Sequence, residues 1–127
     1  MYSITVRGEF CAAHRLTFHK GKCKNLHGHN WAVEATFNTK ELSQNMVMDF
    51  ADGKKRLKDI LEDLDHKVLV YTNDLHLVSM LQSNSFPFYT LPFELTAENL
   101  AAYIGQGIRA DEVRVYETPN NVATWLR

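Results

Sequence analysis

A chain of 127 residues, 45% of them apolar, with a formal net charge of −1, has the size and balance of one globular domain. No basic excess argues for a nucleic-acid partner, and no apolar run approaches the roughly 18 residues a membrane span needs. The start, MYSITVRGEF, lacks the basic stretch and long apolar run of a secretion signal, and Cys11 and Cys23 read as free thiols, so a cytoplasmic location is expected.

In chain order, the first element is a strand. Tyr2, Ile4, Val6, Phe10, Ala12 and His14 share one parity with Gly8 among them, while Thr5, Arg7 and Glu9 take the other. This is the period of a half-buried strand. A loop, TFHKGKCKN, follows. Trp31, Val33, Ala35 and Phe37 then alternate with Ala32, Glu34, Thr36 and Asn38 in a second strand. DFADGKKRLKDILEDL reads as a helix capped by Asp49, with Leu57, Ile60, Leu61 and Leu64 on one stripe. Gly53 is out of place there, costing about 1 kcal/mol against Ala in a helix interior. Residues 67–95 carry no clear period, although NDLHLVSMLQ suits a short helix and FPFYTL a short strand. Thr96 opens a second long helix whose stripe is Ala97, Leu100, Ala101, Ile104 and Ile108. EVRVYET and VATWLR close the chain as two strands around the turn tripeptide PNN. The expectation is a single α+β domain over residues 1–127, a four-stranded antiparallel sheet with two long helices on one face. Open sheet edges invite pairing with another copy, so an oligomer is expected.

The histidines carry the strongest chemical signal. His27 and His29 are two apart, so in an extended segment they point the same way and continue the parity of Trp31 and Val33. His14 ends the first strand on the parity of Val6 and Phe10. Three histidines on one covered face need partners. A shared Zn²⁺ would satisfy them and leave a fourth position open, as in catalytic sites. A polar loop without metal is the competing reading. Cys23 lies in KGKCK, where neighbouring cations favour the thiolate; a small packing residue is the alternative. Cys11 falls on the opposite parity from Phe10 and Ala12, facing away from the histidines, and reads as structural. Asp65 beside His66 suits a proton shuttle or merely a helix end. Glu117 shares the parity of Val113 and Val115, so it is either an exposed strand end or a carboxylate poised to accept two N–H bonds from a guanidine-like edge. Thr96 is a cap at a helix N-terminus, which also welcomes anions. His19 and His76 have no pattern around them and are expected on the surface.

Taken in order, FCAAHRL, GKCKNLHGHNW, VMDFAD, LDHKVL, LTAENLA and VRVYETPNN resemble the 6-pyruvoyl-tetrahydropterin synthase / 6-carboxy-tetrahydropterin synthase family over nearly the whole chain. The resemblance implies a T-fold, in which trimers close their sheets into a barrel, two trimers stack as a homohexamer, and active sites lie between subunits. It implies Zn²⁺ on His14, His27 and His29, with Cys23 as the catalytic cysteine and Asp65 and His66 completing the proton-transfer machinery. It also implies Glu117 as the anchor of the pterin's amino-pyrimidinone edge, Thr96 at the pterin pocket, and 7,8-dihydroneopterin triphosphate as substrate. The three residues between Cys23 and His27 resemble the carboxy branch, which releases acetaldehyde and leads to queuosine and related deazapurines. VRVYETPNNV and LDHKVL look as much like the pyruvoyl branch, which keeps the three-carbon side chain. A folate-synthesis variant typically carries Glu where Cys23 lies. Cys11 departs from the Ser or other small or polar residue common there, and Gly53 replaces a larger one. A structural-zinc assembly module, the non-enzyme alternative, would want a fourth protein ligand, and the sequence offers none that fits.

Overall fold

The two alternating segments at the start of the chain are long enough to make the spine of a sheet. In a computed structural model describing residues 1–127, strand β1 (Tyr2–His14) pairs antiparallel with strand β2 (His27–Thr39) along their whole length, His14 opposite His27 and Tyr2 opposite Thr39. Helix α1 (Phe50–Leu64), strand β3 (Lys67–Tyr71), helix α2 (Leu75–Ser83), strand β4 (Phe88–Leu91), helix α3 (Ala97–Ile108) and strands β5 (Glu112–Thr118) and β6 (Asn121–Leu126) follow. The sheet order is β4-β3-β1-β2-β5-β6.

The expected four-stranded antiparallel sheet is therefore its larger part, β1-β2-β5-β6, while the whole has six strands and is mixed. The additions are β3, parallel to β1, and β4, parallel to β3. Both come from residues 67–95, where FPFYTL suited a short strand and holds β4, while nothing marked β3. β3 meets β1 only at Ala12 and Ala13, so the rest of that edge of β1 has no strand beside it within the chain. The opposite edge, β6, is also unpaired.

One face of the sheet is covered. α1 lays Gly53, Leu57, Leu61 and Leu64 on it, and α3 lays Leu100, Ala101, Ile104, Gly105 and Ile108. These meet Val6, Phe10, Trp31, Val33, Ala35, Phe37, Val113 and Val115, all buried. The helices approach closely because glycines face the contacts. A Cβ on Gly107 of α3 would stand 2.6 Å from Ile60 Cδ1 of α1, and one on Gly105 would collide with the Trp125 indole. Asp49 and Thr96 cap the two long helices as expected, accepting from the N–H of Ala51 and Asn99.

The other face is polar. Arg7 and Glu34 pair there, and Tyr116 donates to Glu34. Cys11 lies on it, exposed, its Sγ 3.6 Å from Asn30 Oδ1. It faces away from the histidines as expected, but it is not the packing residue that the structural reading implied. No helix is long and apolar enough to cross a membrane.

Candidate metal centre and active site

β1 and β2 end side by side, and their period brings the three histidines to one corner of the covered face. His14 is 1% exposed, with its ring centre 4.6 Å from that of His27, 5.3 Å from that of His29 and 4.9 Å from the Trp31 ring. Glu117, near the end of β5, completes the corner. One donor atom from each of His14, His27, His29 and Glu117 falls in a group no wider than 4.8 Å.

The ring orientations are set by backbone carbonyls. His14 Nδ1 lies 2.7 Å from Leu95 O, and His27 Nδ1 lies 2.7 Å from Asn25 O. A carbonyl only accepts, so each Nδ1 carries a proton and Nε2 is the nitrogen left to face a metal. Nε2 of His14 and of His29 lie 3.1 and 3.3 Å from Glu117 Oε1, yet neither makes a hydrogen bond of acceptable geometry. Buried nitrogens without a partner are costly. Their convergence, with a carboxylate oxygen, fits a metal such as zinc, whose ligands are neutral imidazole and carboxylate. Burial lowers the pKa of both His14 and His29 and outweighs the opposing pull of Glu117, so both rings are neutral at neutral pH.

Leu95 precedes the cap of α3, so its carbonyl is held by a well-tied turn. Asn99 Nδ2 and Thr96 N both donate to Glu94 O, and the Glu94 carboxylate accepts from Thr17. Thr96 spends its hydroxyl oxygen on the Asn99 N–H. Arg15, next to His14, forms a two-pronged pair with the buried Asp74 carboxylate at 2.7 and 2.6 Å, which fixes the chain as it leaves β1. Of these supports only the Thr96 cap was read from the sequence. The two carbonyls carry no side-chain signal, and the pair spans unrelated segments.

Cys23 sits in a 3-10 turn, Lys22–Lys24, tied down by the Leu16 N–H donating to its carbonyl. It is half-buried and borders a cleft of about 530 Å³ with Lys22, Asn25 and His27. It is thus beside the corner but outside the four-donor group.

Asp65 and His66 follow α1. Asp65 Oδ1 accepts from Cys11 N at 2.8 Å, and Oδ2 lies 2.8 Å from His66 Nδ1. His66 has left-handed backbone, φ 58°, and its N–H donates to Cys11 O. The Cys11 N–H, then His66, hold the Asp65 pKa below the ordinary carboxylate value, so Asp65 is an anion that orients the imidazole. His66 is 79% exposed and opens into a different cleft, about 540 Å³, with Cys11, His29, Asn30, Lys67 and Phe86. Within one chain, Cys23 and the Asp65–His66 pair do not share a cleft.

Glu117 also borders a smaller cleft of about 260 Å³, with Ala97 and Glu98 from the start of α3 and Asn121, Val122 and Ala123 from β6. Glu117 is the one donor that sequence parity set on the right face without revealing its distance from the histidines. It supplies the fourth protein donor that the sequence did not offer. His19 and His76 are exposed, as expected.

Residues 3–127 match the model of the 6-pyruvoyl tetrahydropterin synthase family. A Haemophilus influenzae protein named 6-carboxy-5,6,7,8-tetrahydropterin synthase is 32% identical over 135 aligned positions, covering 95% of this chain and 96% of the relative. In fold, an uncharacterised Wolinella succinogenes protein superposes with a TM-score of 0.83 at 22% identity, over 99% of this chain and 98% of that one. The Plasmodium falciparum 6-pyruvoyl tetrahydropterin synthase does so with a TM-score of 0.78 at 20% identity, over 99% and 97%.

Proposed function

Because the chain belongs to the 6-pyruvoyl tetrahydropterin synthase family, we propose that it is the zinc-dependent lyase of the carboxy branch. It converts 7,8-dihydroneopterin triphosphate and water to 6-carboxy-5,6,7,8-tetrahydropterin, acetaldehyde and triphosphate. The observation that carries the reading is the pair of buried, unpartnered Nε2 atoms of His14 and His29 converging with His27 and Glu117.

Each residue has a task in this reaction. His14, His27 and His29 hold Zn²⁺, and the carbonyls of Leu95 and Asn25 keep the rings turned toward it. Zinc bound there supplies Lewis-acid polarisation of the substrate's side-chain hydroxyls. Cys23, at the edge of the corner, takes a proton from the side chain. Asp65 fixes His66 through Nδ1, so that Nε2 is free to exchange a proton with the substrate. Glu117 accepts N–H bonds from the amino-pyrimidinone edge of the pterin, beside Thr96 at the start of α3.

Cys23 and His66 open into different clefts of one chain, which favours a site completed by two chains. The unpaired edges of β1 and β6 favour assembly by strand pairing, and we take the state to be a homohexamer of two trimers. The carboxy branch is favoured by the three-residue spacing from Cys23 to His27 and by the name of the Haemophilus influenzae relative. It gives the protein a cytoplasmic place in queuosine biosynthesis. VRVYETPNNV favours the second reading, a 6-pyruvoyl synthase that eliminates triphosphate and keeps the side chain.

The test is anaerobic incubation of zinc-loaded protein with 7,8-dihydroneopterin triphosphate, with products identified by mass spectrometry and acetaldehyde assayed alongside. A 6-carboxy product with acetaldehyde is expected. A 6-pyruvoyl product without acetaldehyde establishes the second reading, and no turnover refutes both.

A further inference from the structure

The Glu117 carboxylate has two claims on it. Its Oε1 stands 3.1 Å from His14 Nε2 and 3.3 Å from His29 Nε2, inside the donor group. The same side chain lines the cleft between the start of α3 and β6, is 28% exposed, and is the residue to which the proposed function assigns the pterin edge. A carboxylate that grips an amino-pyrimidinone edge accepts two parallel N–H bonds and needs both oxygens. An oxygen committed to a metal is not available for that grip.

We infer that Glu117 is a switch ligand: it closes the metal site in the resting protein and leaves it when a pterin enters. Three histidines and a carboxylate make a filled tetrahedral set, the arrangement of a closed site. A catalytic site needs an open position. Removing Glu117 from the metal opens one. Occupying Glu117 with the pterin edge therefore frees, in the same movement, the coordination position that the substrate's hydroxyls require. An incoming ligand that lacks the pterin edge finds the position still closed, so the switch selects for substrate before exposing the metal. The inference rests on the proposed function for its pterin and adds to it the order of events.

Thermodynamic linkage gives a test that needs no turnover. Pterin itself (2-amino-4-oxopteridine) has the edge but no side-chain hydroxyls to replace Glu117 on the metal. If both compete for one carboxylate, saturating pterin weakens zinc binding, and zinc weakens pterin binding by the same factor. Zinc affinity is measured by chelator competition on the full-length assembled protein, with and without pterin. A weakening of about 5- to 50-fold is expected. The isosteric Glu117→Gln variant is expected to bind zinc at least about 10-fold more weakly than the native protein in the absence of pterin. Co²⁺ in place of zinc reports the same event optically, its visible bands shifting when pterin is added to the native protein.

Equal zinc affinity with and without bound pterin overturns the switch and leaves the proposed function standing. Unchanged zinc affinity in Glu117→Gln overturns it too, because any coupling then runs through another group. Failure of the native protein to bind zinc or pterin at all defeats the proposed function, and the switch with it.

Discussion

His14 Nδ1 and the carbonyl of Leu95, 81 positions apart in the chain, meet at 2.7 Å. This contact ties the end of β1 to the turn before α3 and makes the corner of the sheet depend on both. Metal bound at the corner therefore stabilises the fold, because the unfolded chain has no preformed site. At a metal concentration about 1,000 times Kd the gain is about 4 kcal/mol. Removing metal from the native protein with a chelator should lower Tm by several degrees. His14→Gln, which lacks the buried donor, should show no chelator-dependent change. A native Tm insensitive to chelator would mean that the corner holds no metal.

The same burial sets the pH response of the metal-free protein. His14 and His29 have folded-state pKa values lowered chiefly by desolvation. The unfolded chain protonates these rings near the ordinary value of about 6.5. Below that pH it binds more protons than the folded state, so stability falls as pH falls. The contribution is fully present above about pH 6.5 and is lost on descending through the folded-state values. The Asp74 carboxyl, held low first by its bond from Arg15, adds a second loss below about pH 4. Urea unfolding of chelated protein at pH 7.5, 6.0 and 5.0 should show a decreasing midpoint, and zinc-loaded protein a larger decrease, because rings held by metal stay unprotonated while the unfolded chain takes up protons. A flat midpoint would show that the rings are hydrated.

Two glycines give opposite outcomes on the same substitution. Gly53 is buried on the stripe Gly53, Leu57, Leu61 and Leu64, and a Cβ there would meet Met48, Val6 and Phe37 at 3.4–3.5 Å, ordinary contact. Gly53→Ala should raise stability by about 1 kcal/mol through helix propensity alone. Gly105 has no such room, because its Cβ would run into the Trp125 ring. Gly105→Ala should cost about 1–3 kcal/mol by overpacking, despite the same propensity gain. Urea unfolding of the two variants checks both signs.

How much of this was legible depended on periodicity. β1 and β2 are long and half-buried, so strict alternation set His14, His27 and His29 on one face beside Trp31. Asp49 and Thr96 announced their helices because caps are local chemistry. β3 was unread because KVLVY is five residues with no alternation; a parallel strand inside a sheet is covered more evenly and loses the period. β4 was legible as a short strand within FPFYTL, but its four residues gave no hint of its place in the sheet. At the corner, parity gave the face of Glu117 but not its distance from His14. The carbonyls of Leu95 and Asn25 are backbone, which no residue type reports.

The separation of Cys23 from Asp65–His66 leads to a prediction about assembly. If Cys23 is the base, Cys23→Ala should lower turnover about 10²- to 10⁴-fold while metal content stays native, since the thiol lies outside the donor group. His66→Gln should do the same while leaving Asp65 bonded to the Cys11 N–H. Cys11→Ser should stay active, because only the backbone of Cys11 touches that pair. In one chain the two inactivated groups border different clefts. Unfolding the two inactive variants together and reassembling them would therefore recover activity only if sites are built from two chains. A site that draws Cys23 from a His66→Gln chain and His66 from a Cys23→Ala chain is intact. Random mixing makes about a quarter of sites so, half times half. Recovery approaching that fraction in mixed assemblies, and none in either variant alone, is the expected result. Zero recovery from oligomers shown to be mixed would mean that both groups act from the same chain, and that the single-chain clefts rearrange to bring them together.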